Sequence, residues 1–224
     1  ASIRALMDES IARLAVIVLP VVLAITLHEA AHGYAALLKG DPTAHLAGRI
    51  TANPLRHIDP LGTVIVPLVM YFVSSMAGHD GLLFGWAKPV PVNFGRLRRP
   101  KQDLFWVAAA GPAANLVMAV GWGLAMKLAL SMPGHMFAEP LMLMAKAGIT
   151  INLVLMVLNL LPIPPLDGGR IMVSLLPRRA SMAFARIEPY GMFILIGLLV
   201  THVLDELLTP LLVLAHALLM TVLF

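Results

Sequence analysis

Residues 11–38 read IARLAVIVLPVVLAITLHEAAHGYAALL, and this run constrains the fold more than any other feature of the chain. After Arg13 no charged residue appears until Glu29. An apolar run of this length spans the hydrocarbon of a bilayer when helical. In lipid a chain must satisfy its own backbone groups, so helices or closed barrels are the available forms. Further apolar stretches at 64–77, 104–130, 141–161, 190–204 and 206–224 repeat the pattern. Of 224 residues 59% are hydrophobic and 12% charged, and the mean hydropathy is +0.88. The expectation is an all-α, polytopic membrane helix bundle of five to six transmembrane helices.

The stretch 64–77 falls short of the roughly 20 residues a crossing needs, and Pro67 lies inside it. It reads as re-entrant. Charge agrees: without a crossing there, Lys39, Arg49, Arg56, Lys88, Arg96, Arg98, Arg99 and Lys101 share one side. Two further crossings bring Arg170, Arg178, Arg179 and Arg186 to the same side, whereas loop 131–140 has no Lys or Arg. A cytoplasmic face shows this asymmetry. Five full spans plus one re-entrant segment are therefore expected; the alternative is six spans with a strongly tilted second helix. Segment 78–103 contains GWAKPVPVN at 85–93, whose proline spacing forbids a helix and favours extended chain. A short re-entrant or extended β-like segment thus separates the first core helix from the next.

No repeat or low-complexity linker divides the chain. It reads as one membrane-embedded domain over 1–224, with a core over 11–175 and peripheral helices over 176–224. The opening helix carries the chemistry, so it reads as retained rather than as a cleaved leader. With no Cys, disulfides, thiol nucleophiles and Cys-ligated metals are excluded. The net charge of +4 sits in loops and is not a nucleic-acid signal.

The chemistry centres on His28-Glu29-Ala30-Ala31-His32. Two histidines four apart share a helix face, where both rings can reach one Zn²⁺. Glu29 lies about 100° round the helix, placed to take a proton from water at the metal. The alternative is a His–Glu cluster hydrogen-bonded between packed helices, although ionisable groups at membrane depth are costly and usually functional. A catalytic zinc needs a third protein ligand. Asp41, Asp59, Asp80, Asp103, Asp205 and several histidines sit mostly in loops, where solvation is the ordinary explanation. Asp167 differs: it follows the helix 141–161 in NLLPIPPLDGGR, where Pro162, Pro164 and Pro165 free backbone groups at membrane depth. His28, His32 and Asp167 all lie at C-terminal helix ends. They reach the same depth only if their helices run parallel, which the five-span arrangement provides.

Together HEAAHG at 28–33, AGPAAN at 110–115 and NLLPIPPLDGGR at 159–170 resemble the site-2 protease family of intramembrane zinc metalloproteases. GDPTAHLAGRITANPLRHIDPLGT at 40–63 and FGWAKPVPVN at 84–93 look like its compact bacterial branch, without a PDZ insert. The resemblance implies a three-helix core bearing one zinc per chain, with Asp167 as third ligand. It implies that Asn159 contacts the scissile peptide or its oxyanion. It also implies cleavage of transmembrane protein substrates within the lipid bilayer, commonly in regulated intramembrane proteolysis. The protein is then expected in a bacterial cell membrane, multi-pass, with its active site toward the cytoplasmic side and no nucleic-acid partner; oligomeric state is not legible. The rival functions are a metal transporter or metal-binding membrane protein using the same His pair, and a scaffold without activity.

Other residues support weaker expectations. Segment 84–93 either pairs with an unwound substrate or packs as a plain loop against the core. His57 either lines the site or its water path or, the favoured reading, is a solvated or capping loop residue. Asn115, among the small residues Ala108 to Ala114, suits hydrogen bonding between closely packed helices. Trp86, Trp106 and Trp122 read as interfacial anchors or core.

Overall fold

A computed structural model describes residues 3–65, 69 and 88–224. The expected re-entrant stretch at 64–77 therefore falls almost wholly outside the described residues, as do 84–87 and Trp86. The elements are α1 (Ile3–Leu38), α2 (Thr43–Leu46), α3 (Pro100–Leu130), α4 (Ala138–Leu160), α5 (Asp167–Leu175), α6 (Arg178–Ala185), α7 (Gly191–Val200) and α8 (Val203–Leu223). Among the described residues there is no strand, and short tight turns join the helices. Among the described residues five segments are long and apolar enough to cross a membrane: Val16–Leu38, Pro100–Leu130, Ala138–Leu160, Arg178–Val200 and Val203–Leu223.

Local chemistry sets the helix ends. α1 stops where Gly40 takes a positive φ of 105°, which lets the Asp41 N–H reach back to the Ala36 carbonyl at 2.9 Å. α3 starts with Pro100 in its first turn, and the Arg99 N–H donates to Asp103 Oδ2 at 2.7 Å. α4 ends before Pro162, and α5 begins at Asp167.

α1, α3 and α4 pack against one another, forming the three-helix core that the resemblance implies. Small residues line the contacts: Ala24, Ala108, Gly111, Ala119, Ala145 and Gly148 are buried. At Gly148 a Cβ would enter the Trp122 ring, so the missing side chain is what admits the indole. α8 closes one flank, where Leu219 and Leu223 meet Ala119, Ile149 and Leu153. Val18, Leu116, Val117, Leu124, Leu128, Val213, Leu214 and Val222 face outward, an apolar surface suited to lipid.

Loops 39–57 and 88–98 are stitched together at the end of α1. The Lys88 N–H donates to the His57 carbonyl at 2.9 Å and the Arg98 N–H to the Lys39 carbonyl at 3.0 Å. Arg49 Nη2 donates to the Lys88 carbonyl at 2.6 Å. Asp41 Oδ2 accepts the Asn93 N–H at 2.6 Å, while its Oδ1 accepts the Thr43 N–H at 3.0 Å and the Thr43 hydroxyl. Asp41 and His57 are buried, not solvated as their loop positions suggested, because the two loops fold onto each other. Asp103 is buried as well, in the first turn of α3, where it accepts the Arg99 N–H and faces Lys39 at 3.8 Å. His57 still ends a tight turn, donating its N–H to the Pro54 carbonyl at 2.8 Å. Burial alone would push the Asp41 carboxyl up. The Thr43 and Asn93 donors and the Arg96 charge outweigh it and hold this carboxyl below its ordinary value.

Candidate metal centre

His28 and His32 project from one face of α1, and Asp167 opens α5, so the C-terminal ends of α1 and α4 meet here as the parallel arrangement requires. Asp167 Oδ2 lies 3.2 Å from His28 Nε2 and 3.2 Å from His32 Nε2. The two Nε2 atoms are 3.1 Å apart. All three side chains are buried.

Each ring is oriented through its other nitrogen. His32 Nδ1 lies 2.7 Å from the Val107 carbonyl on α3. A carbonyl only accepts, so Nδ1 carries the proton and Nε2 keeps a lone pair. His28 Nδ1 lies 2.5 Å from Asn115 Oδ1. Asn115 Nδ2 donates to Asn152 Oδ1 at 2.8 Å and to the Ala24 carbonyl at 3.3 Å. Asn152 Nδ2 in turn donates to the Gly148 carbonyl at 2.8 Å. This chain of amides sets the Asn115 oxygen toward His28, which again leaves Nε2 as the lone-pair donor.

The convergent atoms are thus two imidazole lone pairs and a carboxylate oxygen. Asp167 Oδ2 is buried and has no hydrogen-bond donor. An orphaned anionic oxygen facing two lone pairs fits a cation, and two His with one carboxylate is a known catalytic zinc set that leaves a position open.

Glycines make these approaches possible. A Cβ at Gly111 would lie 2.6 Å from Cε1 of both His28 and His32. A Cβ at Gly168 would overlap the Leu160 and Leu161 carbonyls, and one at Gly169 would sit 2.7 Å from the Pro164 nitrogen. The DGG sequence therefore lets α5 lie against the end of α4 and present Asp167.

Glu29 does not join the three-atom cluster. Its Oε2 accepts the Val90 N–H at 2.9 Å, which ties the opening helix to the non-helical segment 88–93. Asn159 is engaged within its own helix, donating from Nδ2 to the Leu155 carbonyl at 2.9 Å. Two supports escaped the sequence reading. Asn152 is one of two amides in a largely apolar helix, a signal that polar residues at membrane depth carry. Gly111 was visible only as one of several small residues.

The comparisons agree with this chemistry. The sequence profile of peptidase family M50 matches residues 129–202. YwhC of Bacillus subtilis (strain 168), provisionally named a zinc metalloprotease, is 35% identical over 205 residues, covering 88% of this chain and 85% of its own. Rip2 of Mycolicibacterium smegmatis, provisionally named likewise, is 28% identical over 188 residues, covering 82% of this chain and 66% of its own. Rip2 of Mycobacterium tuberculosis (H37Rv) is 27% identical over 183 residues, covering 80% and 64%. No solved structure gives a significant match.

Proposed function

The chain belongs to peptidase family M50, the site-2 protease family, and is a zinc metalloprotease; from that premise we propose that it is an intramembrane endopeptidase cutting transmembrane helices of membrane protein substrates, in regulated intramembrane proteolysis. The observation that carries the reading is the meeting of His28 and His32, on a helix long and apolar enough to span a bilayer, with Asp167, at the start of the short α5 that follows another such helix. In this reading the protein sits in the cell membrane with its basic loops and its site toward the cytoplasm.

His28, His32 and Asp167 would hold the ion. When bound, zinc supplies Lewis acidity that polarises a scissile carbonyl and makes water acidic enough to attack. The chain's own residues do the rest. Glu29, fixed by the Val90 N–H through Oε2, holds the proton given up by the attacking water and returns it to the leaving amine. The Asn159 amide, once released from the Leu155 carbonyl, donates to the oxyanion. A substrate helix hides its peptide groups, so it must unwind, and edge pairing with segment 84–93 satisfies the groups this frees.

The test is Glu29→Gln in liposomes holding a generic transmembrane substrate. About one zinc per chain is retained, while cleavage falls by about 10²–10⁴-fold. Undiminished cleavage refutes Glu29 as the base; metal flux without cleavage by the unmutated protein favours a transporter.

A further inference from the structure

Arg49, Arg56 and Lys88 line one side of a cavity of about 390 Å³ between loops 47–58 and 88–91, completed by Ala47, Leu55, Ile58 and Pro91. Among the described residues no carboxylate lines it. Among the described residues none of these three cations makes an ion pair, whereas Lys39 pairs with Asp103 and Arg170 with Glu188. Arg49 is the telling member. It is more than nine-tenths buried. Its Nη2 donates to the Lys88 carbonyl at 2.6 Å and reaches the Pro89 carbonyl at 3.4 Å, yet its buried Nε has no partner. A guanidinium N–H withdrawn from water and left unbonded is costly, and the cation it belongs to lines a concave space.

We propose that this cavity binds a phosphate-bearing anion, with an anionic lipid headgroup as its occupant at the membrane surface. Three uncompensated cations match a phosphate in charge, and the Arg49 Nε–H supplies a fixed donor. The rim favours a lipid over a soluble ion. Leu55, in the lining, and Leu46 and Leu61, flanking it in sequence, are more than half exposed, as acyl-chain contacts require. Basic pockets on this face of membrane proteins suit such headgroups. Occupancy would also clamp the two loops together one residue from Val90, whose N–H holds Glu29.

The test uses the full chain, purified in detergent and stripped of lipid. Phosphatidylglycerol and phosphatidylcholine are titrated and bound lipid is counted by native mass spectrometry; inorganic phosphate is titrated by thermal shift. The unmutated protein prefers phosphatidylglycerol by about tenfold, and the preference is lost in Arg56→Gln/Lys88→Gln. These two side chains are exposed, so the fold survives; Arg49 is left intact because it holds the Lys88 carbonyl. Phosphate binding that the double variant abolishes, without any lipid preference, keeps the anion site and assigns it a soluble source. The proposal is overturned if the unmutated protein distinguishes neither lipid nor phosphate, if the double variant keeps the full preference, or if only an acidic peptide binds there. None of these readouts depends on proteolysis, so failure here is distinct from failure of the peptidase reading.

Discussion

Gly111→Ala places a methyl group against the imidazoles of His28 and His32. The added Cβ would stand 2.6 Å from both Cε1 atoms and closer still to His32 Nε2, while ordinary contact begins at 3.4 Å, so the rings or the helix must retreat by at least about 0.8 Å. Metal–ligand distances tolerate about 0.2 Å. Relief is difficult because both rings are anchored to the helix that carries the glycine, His32 through Val107 and His28 through Asn115. A retreat of that size stretches the 2.7 Å bond to Val107 to about the limit of a hydrogen bond. Losing one such support typically weakens metal binding by about 10–100-fold, and this substitution strains two as well as the ligands. A zinc affinity at least about a hundredfold weaker is expected, with cleavage lost in parallel. Overpacking costs about 1–3 kcal/mol, so the protein remains folded. The assay is zinc content after dialysis against graded chelator, beside a thermal melt in the same detergent. Gly121→Ala on the same helix is the control, since a Cβ there meets nothing within 4 Å. Unchanged zinc affinity in Gly111→Ala would refute the close approach on which this reasoning depends.

Other outcomes follow from the same contacts. Asn152→Leu frees the Asn115 amide to rotate, and chelator competition should show zinc binding about tenfold weaker with the helical circular dichroism unchanged. Gly168→Ala pushes Asp167 away through the Leu160 and Leu161 carbonyls, so zinc should fall below one per chain in metal analysis. Asp41→Asn removes the charge from hydrogen bonds worth about 1.5–3 kcal/mol and should lower the thermal midpoint near neutral pH. Its pH dependence has a definite sign. The folded carboxyl lies below its ordinary value, so its contribution is complete above about pH 4 and is lost as pH falls through the folded value. The gap between wild-type and Asp41→Asn midpoints should therefore shrink on acidification and stay constant from about pH 5 to 7.

The fold class and the histidine pair were legible because spacing dictates them, and Asp167 was legible from its proline-rich setting and from the family resemblance. A four-residue interval puts His28 and His32 on one helix face whatever surrounds them, and Pro162, Pro164 and Pro165 must end a helix. Asn115 was legible in part. It does bond between helices, to Ala24 and Asn152, but the short sequence around it gave no sign that its oxygen meets His28. Asp41 and His57 misled, since loop composition suggests solvent and only the docking of 88–98 onto 39–57 buries them. The tie between Glu29 and Val90 joins residues 61 apart through a backbone N–H that has no side-chain signature, so no pattern announces it.

The Asn115 amide touches all three core helices at once, through His28 and Ala24 on α1, its own place on α3, and Asn152 on α4. Its donor and acceptor functions are all engaged, so it has no slack with which to absorb a sliding neighbour. Zinc retention then becomes a strain gauge for the bundle. Reconstitution into bilayers of graded acyl length, which tilt helices to match their thickness, should register as graded metal loss before any span unfolds.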